Sequence, residues 1–308
     1  MTQQTNKKEI RTVDFSNFEK RKHEIAEEIG ATWSTVGFFA AKNHGVSQEL
    51  IDSAYAVMKE FYRQPIETKM KYFRADLKGQ RGFVPNGSEK AIGAKVPDYK
   101  EYTHFGTDGS FYKNIWPTEI PELQSTMEAV YNEMFNFSQM ILELTAIYLK
   151  LKDPKALTRL FSAGGDSIIR SLYYPAQTNP LPAGTVRAAK HTDLNFITLL
   201  PNATASGLEV KDRRGVWHSV PTNPRLIICN CADMLQNMSN ERLLSTEHQV
   251  VNPKESSDER FSMPFFITPD MSSDIAPLKE LIDGDRIFGK SMTAAEFLHE
   301  RVNQIIKT

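Results

Sequence analysis

Near residue 166 the hydrophobic pattern of this chain changes period, and few folds accommodate that change. Ahead of it, apolar residues recur at helical spacing. Leu50, Ile51, Ala54, Val57, Met58 and Phe61 form one stripe over residues 48–63, with Ser47 as the expected N-cap and Pro65 as the stop. Leu123, Met127, Val130, Met134, Phe137, Ile141, Leu144 and Tyr148 form a second, longer stripe, with Pro121 expected at the first helical position. Asp153-Pro154 is read as the start of a short helix. Beyond residue 166 come strand-length segments: 166–174, 196–200, 207–211, 216–220, 225–231, 245–251 and 260–267. Pro and Gly punctuate them, with turns expected at Asp212-Arg213-Arg214-Gly215 and from Asn252-Pro253 through Asp258-Glu259. Such spacing fits a double-sheet jelly roll better than alternating parallel-sheet units. Residues 293–306 read as a closing amphipathic helix.

The expected class is α+β, in a single domain of 308 residues. It divides into a mixed N-terminal region (1–115), scaffold helices (116–163), a jelly-roll core (164–272) and a C-terminal helical segment (273–308). No internal repeat or low-complexity tract interrupts it. A formal net charge of −1 gives no electrostatic argument for nucleic acid or an anionic membrane surface. Lys20-Arg21-Lys22 reads as a solvated helix face. No apolar run approaches the roughly 20 residues of a membrane span, and the first eight residues lack the apolar core of a signal peptide. Cys229 and Cys231 are read as pointing to opposite faces of a strand, which argues against a disulfide and for a reducing, cytoplasmic setting.

Two motifs in the second half carry chemistry. His191-x-Asp193 and His248 supply two imidazoles and a carboxylate, the donor set of a non-haem Fe(II) facial triad with open positions. On an expected strand, His191 and Asp193 would alternate onto one side of a sheet, and His248 would close the site from another strand. Arg260-Phe261-Ser262 then places a guanidinium and a hydroxyl on one strand face. An arginine fork grips a carboxylate bidentately, and a buried arginine needs an anion. Together these groups describe a site for a keto acid that chelates a metal at one end and is anchored at the other.

With these residues the chain resembles the 2-oxoglutarate/Fe(II)-dependent oxygenases of the isopenicillin N synthase-like branch. Further landmarks fall in that branch's order: Val13-Asp14-Phe15, Val36-Gly37-Phe38-Phe39, Lys42-Asn43-His44-Gly45-Val46, Leu172-Tyr173-Tyr174-Pro175 (where the branch usually has Asn for Leu172), Gly207-Leu208-Glu209-Val210, Trp217, Val220-Pro221 and Asn230-Cys231-Ala232-Asp233. The resemblance implies a double-stranded β-helix, a cupin-like jelly roll, with N-terminal and flanking scaffold helices. It implies Fe(II) on His191, Asp193 and His248, 2-oxoglutarate as cosubstrate with its distal carboxylate on Arg260, Ser262 and Tyr174, and O2 as oxidant. The expected reaction is hydroxylation of an unactivated C–H bond with release of succinate and CO2. Desaturation, cyclisation and epimerisation stay open. Asp193 disfavours halogenation, for which the resembling halogenases carry a small residue there.

Other residues receive narrower readings. Arg170 is a candidate anchor for cosubstrate or substrate, against a structural ion pair. Phe266, by parity with Arg260 and Ser262, is expected to wall the substrate pocket. Residues 79–106 and Asn195 are expected to shape it, with Arg81, Phe83, Asn86, Tyr102 and His104 as candidates. A small polar metabolite, an amino-acid derivative or a natural-product intermediate would suit this mixture. Asp233 is taken as loop-stabilising, His44 as a turn residue, His23 and His299 as exposed, and His218 as outward-facing. Two alternatives remain: a 2-oxoglutarate-independent oxidase or cyclase of the same fold, and a catalytically silent jelly-roll binder. Monomer and homodimer both stay open.

Overall fold

Strand alternation decides which side chains meet the helices and which meet the interior cavity. The computed structural model describes residues 10–88, 99–107, 112–162, 165–176, 187–201, 203–204, 206–220, 222–251 and 259–306, with side chains through Arg301. Residues 1–9, residues 89–98 of the expected pocket segment, Pro221 and the expected turn over 252–258 lie outside them. In chain order the elements are β1 (Thr12–Asp14), α1 (Phe18–Trp33), β2 (Phe38–Lys42), α2 (Gln48–Tyr62), α3 (Ile66–Met70), β3 (Gly82–Val84), β4 (Glu101–Gly106) and α4 (Leu123–Tyr148). The second half contains β5 (Ile168–Tyr174), β6 (Ala188–His191), β7 (Ile197–Pro201), β8 (Leu208–Lys211), β9 (Trp217–Ser219), β10 (Ile227–Cys231), α5 (Asp233–Met238), β11 (His248–Val250), β12 (Arg260–Ser262), β13 (Phe265–Ile267) and α6 (Ala294–Ile306).

The large sheet runs β1-β2-β10-β7-β13-β5-β4-β3, with β12 also paired to β5, and the small sheet runs β6-β11-β8-β9. One face of the large sheet carries Phe39, Ala41, Leu199, Ile227 and Phe265 into the core made with α1, α2 and α4. Their neighbours Phe38, Thr198, Leu200, Ile228 and Phe266 line the cavity between the two sheets. That division is the period-two pattern of a sheet buried on both faces. Helix α2 begins as its stripe predicts, with the Ser47 hydroxyl accepting the Leu50 N–H at 3.2 Å. Gly37 turns the chain into β2 at φ 79°, where a Cβ would lie 2.5 Å from the Leu244 carbonyl oxygen. No other residue fits there without displacing that strand connection.

Several expectations need correction. Helix α4 starts at Leu123, so Pro121 precedes the cap and is not the first helical residue. Asp153-Pro154 opens turns that lead to a 3₁₀ turn at Thr158–Leu160. The single strand expected over 260–267 is two, broken at Met263-Pro264, although both halves keep one register against β5. Proline lacks the N–H for an unbroken ladder. Cys229 and Cys231 share a face, as residues two apart on a strand must, and both enter the main core as free thiols. Strands β1 to β4 lie outside the expected set, and the strand expected to carry both His191 and Asp193 ends at His191. Among the described residues no helix is long and apolar enough to cross a membrane.

Candidate active site

Register brings the two histidines together. Strands β6 and β11 are antiparallel with His191 opposite His248, and their ring centroids lie 4.3 Å apart. Asp193 is not on the strand, since β6 ends at His191. It reaches the site from the loop that follows, where the Asp233 N–H donates to its carbonyl at 2.9 Å. Asp193 Oδ1 then stands 3.8 Å from His191 Nε2 and 3.6 Å from His248 Nε2. All three donors fall within 4.8 Å of one another.

The remaining ring nitrogens settle the tautomers. His191 Nδ1 lies 2.7 Å from the Ala189 carbonyl and His248 Nδ1 lies 3.1 Å from the Thr246 carbonyl. A carbonyl only accepts, so each Nδ1 carries a proton, and Nε2 is the nitrogen of each ring that faces the site and would ligate a metal. His191 is held below the ordinary imidazole range by the protein packed around its ring and by the adjacent His248, even though 44% of its side chain meets solvent. Burial pushes the Asp193 carboxyl up, but the two imidazoles and the hydrogen bonds from Asn230 and Thr198 outweigh it and hold the group low. Two imidazoles and a carboxylate are the donor chemistry of a facial Fe(II) site, so the residues fit that metal.

Sequence reasoning passed over the residues that aim Asp193. Thr198 Oγ1 donates to Asp193 Oδ2 at 2.7 Å and Asn230 Nδ2 donates to the same oxygen at 2.9 Å. This leaves Oδ1 turned toward the histidines. Both lie in expected strands, and strand parity would have put them on the cavity face. Thr198→Val keeps the shape and removes one of the two bonds. Its Fe(II) affinity is expected to fall roughly 10–100-fold, read by anaerobic metal titration. An unchanged affinity would mean that Asn230 suffices alone.

The facing wall is a ladder. Arg260 lies opposite Tyr174 and Ser262 opposite Leu172, and the Arg170 N–H donates to the Pro264 carbonyl at 2.9 Å. Along β12 and β13, Arg260, Ser262, Pro264 and Phe266 all line the cavity, as do Tyr174, Leu172 and Arg170 from β5. Arg260 is 1% exposed, with its guanidinium 5.1 Å from the Tyr174 ring centroid. Lys100 also lines this cavity, within the expected segment 79–106 but not among the candidates singled out there.

Other candidates fall behind the wall or away from it. Strand β4 places His104 opposite Arg170 and Tyr102 opposite Leu172, one strand back from the lining. Asn195 is buried and braces the Asp193 loop through the Ile197 carbonyl at 2.6 Å and the Thr198 hydroxyl at 3.2 Å. Phe83 is core, 5.9 Å from the Phe61 ring. Arg81 is buried away from the cavity, donating to the Gln80 carbonyl at 2.7 Å, and Asn86 is exposed. Asp233, raised by burial, accepts from Thr192 Oγ1 at 3.2 Å and Arg301 at 2.7 Å. His44 takes a turn position, its Nδ1 accepting the Val46 N–H at 3.2 Å, while His23 and His299 are exposed. His218 departs from its outward reading. It lies opposite Val210 on the inner side of the small sheet, 3.1 Å from Asp212.

Known proteins resemble this chain in sequence and fold. A family model described as the N-terminal region of non-haem dioxygenase in morphine synthesis matches residues 10–119, and one for the 2OG-Fe(II) oxygenase superfamily matches residues 165–269. Over 287 residues the chain is 31% identical to scopoletin 8-hydroxylase from Arabidopsis thaliana, covering 89% of this chain and 75% of that enzyme. The chain belongs to the 2OG-Fe(II) oxygenase superfamily. The oxygenase superposes on a protein of that family from Caulobacter crescentus with a TM-score of 0.86 and 35% identity, over 96% of this chain and 99% of the other. It superposes with the same TM-score of 0.86, at 25% identity and 96% coverage of both chains, on a full-length Neurospora crassa protein crystallised in complex with alpha-KG and thymine. It is a 2-oxoglutarate-dependent non-haem iron dioxygenase with a jelly-roll core, taking Fe(II), 2-oxoglutarate and O2.

Proposed function

We propose that the oxygenase hydroxylates an unactivated C–H bond of a small metabolite, holding Fe(II) with His191, Asp193 and His248 and 2-oxoglutarate with Arg260, Ser262 and Tyr174. The observation that carries this reading is the pairing of an intact three-donor cluster on one wall with a buried arginine–serine ladder on the wall facing it. When bound, the metal and cosubstrate would activate O2, one oxygen atom entering succinate as 2-oxoglutarate loses CO2 and the other being available to the substrate C–H bond. The chain supplies the rest. Asp193 contributes the negative charge that a divalent cation requires, and the anchored imidazoles fix where its open positions point. Leu200, Leu208, Ile228, Val250 and Phe38 surround the site with hydrocarbon and keep water from the reacting centre. Phe38 also packs edge-on against His248, with centroids 5.3 Å apart.

The substrate class is supported by one relative named as a scopoletin hydroxylase and another crystallised with thymine. The net charge of −1 supports a free small molecule over nucleic acid, and two buried free thiols support a cytoplasmic setting. We read residues 1–308 as one catalytic unit. The test is succinate formation with a panel of small metabolites, with and without 2-oxoglutarate, scored beside oxidised product. Product formed without 2-oxoglutarate would favour the oxidase reading.

Phe266 is assigned to the substrate wall. It is half-buried, lines the cavity and lies 5.7 Å from the Arg170 guanidinium, whereas its neighbour Phe265 is fully buried 4.7 Å from Tyr131. Phe266→Ala should therefore weaken substrate binding or raise succinate uncoupled from product, with 2-oxoglutarate affinity nearly unchanged. Phe265→Ala should instead lose about 3–5 kcal/mol of stability, as core truncations do. Melting temperature and uncoupled turnover on both variants separate the roles. A pure stability loss in Phe266→Ala refutes its place in the pocket.

A further inference from the structure

Arg170 is built into the cavity wall as a fixed cation. Strand β5 turns Arg170, Leu172 and Tyr174 to the same side, and all three line the cavity. Three aromatic rings fix the guanidinium: its carbon lies 4.6 Å from the centroid of Tyr102 and 5.7 Å from that of Phe266, and its Nε–H donates to His104 Nε2 at 2.6 Å. Because His104 Nε2 accepts that bond, the proton of this buried ring is on Nδ1 and the ring is neutral. These three rings therefore orient the arginine and bring no negative charge of their own. A side chain held this way loses less entropy when it meets a ligand.

Position along the strand separates Arg170 from the cosubstrate grip. Tyr174, which faces Arg260, is four residues away, or roughly 13 Å along an extended strand. The 2-oxoglutarate of the proposed function has one carboxylate at Arg260 and its keto-acid end at the triad. Arg170 stands at the other end of the ladder, next to the aromatic face of Phe266. Among the described residues that line the cavity, Asp193 is the only carboxylate, and it faces the two histidines. The field at the Arg170 end thus favours an anion over a cation.

We propose that the substrate is a small carboxylic acid whose carboxylate docks on Arg170 and whose hydrocarbon body lies against Phe266. This rests on the assignment of the triad and the Arg260 clamp given above. His104 is a positioning residue for that arginine and does not itself touch substrate.

The experiment uses matched probes: phenylacetate, cinnamate and hexanoate, each beside its primary amide. Anaerobic holoenzyme with Fe(II) and 2-oxoglutarate is titrated with each probe, and the absorption band of the iron chelate reports binding next to the metal. If no such band forms before any probe is added, the parent assignment has failed and not this one. With the band present, at least one acid should bind about tenfold or more tightly than its amide, the scale of one charge-assisted hydrogen bond. Arg170→Gln should abolish that preference, and Arg170→Lys, which keeps the charge without the His104 tether, should keep it at weaker affinity. Equal binding of acids and amides, no binding of any acid, or an acid preference that survives Arg170→Gln would overturn the proposal. Circular dichroism and the chelate band confirm that each variant is folded and loaded.

Discussion

Replacing His191, Asp193 or His248 with alanine, one at a time, is expected to abolish turnover while the fold stands. The jelly roll is held by the helix-facing residues of the large sheet, among them Phe39, Leu199, Ile227 and Phe265, none of which depends on a metal. Loss of one donor leaves two, too few for a facial site that must hold a divalent cation against water. The fall in Fe(II) affinity should exceed the roughly 10–100-fold that loss of an outer partner costs. Asp193→Ala carries an added penalty, because Thr198 and Asn230 both donate to its Oδ2. Buried donors left without an acceptor cost about 1–3 kcal/mol each. His191, at the edge of the site with 44% of its side chain in solvent, should be the mildest of the three for stability. Turnover at limiting Fe(II), bound iron per chain and far-ultraviolet circular dichroism decide the matter. Wild-type turnover in any one variant would remove that residue from the metal site.

What the sequence disclosed depended on how local the cause was. Helix α2 is set by its own stripe and by Ser47, and α4 by apolar residues at helical spacing along its whole length, so both were legible. Strands β1 and β2 are short, and their hydrogen-bonded partners lie far along the chain: Phe39 pairs with Cys229. No local period announces such a strand. The break at Met263-Pro264 was visible as a proline, but its harmlessness to parity was not, because β5 keeps one register across it. The error over Cys229 and Cys231 was one of parity alone. In the site, the candidate metal donors and Arg260 stand out by residue type, whereas Thr198 and Asn230 matter only through where the register places them. Arg81 and Phe83 were assigned from the neighbourhood of the pocket mouth, and the antiparallel pairing of β3 with β4 puts them on the far side of β5 from the cavity.

Arg260→Lys is expected to weaken 2-oxoglutarate without touching iron. Arg260 is 1% exposed and stacked over Tyr174, so its planar fork is held in a geometry that suits two carboxylate oxygens at once. Lysine keeps the positive charge in the same buried place but offers a point charge on a flexible stem. The difference is about one charge-assisted hydrogen bond, roughly 1.5–3 kcal/mol, or about 10–150-fold in affinity. Ser262 sits one step along the ladder, and Ser262→Ala should cost less, about 0.5–1.5 kcal/mol for a neutral donor. Anaerobic titration of the Fe(II) enzyme with 2-oxoglutarate, followed by the chelate absorption, measures both variants on one scale. Fe(II) affinity without cosubstrate should match wild type, since Arg260 lies on the wall facing the triad. If Arg260→Lys binds 2-oxoglutarate as tightly as wild type, the distal carboxylate is held elsewhere. Among the described residues that line the cavity, the remaining cations are then Lys100 and Arg170, and if Arg170 were the one, the carboxylate site assigned to substrate would belong to the cosubstrate instead.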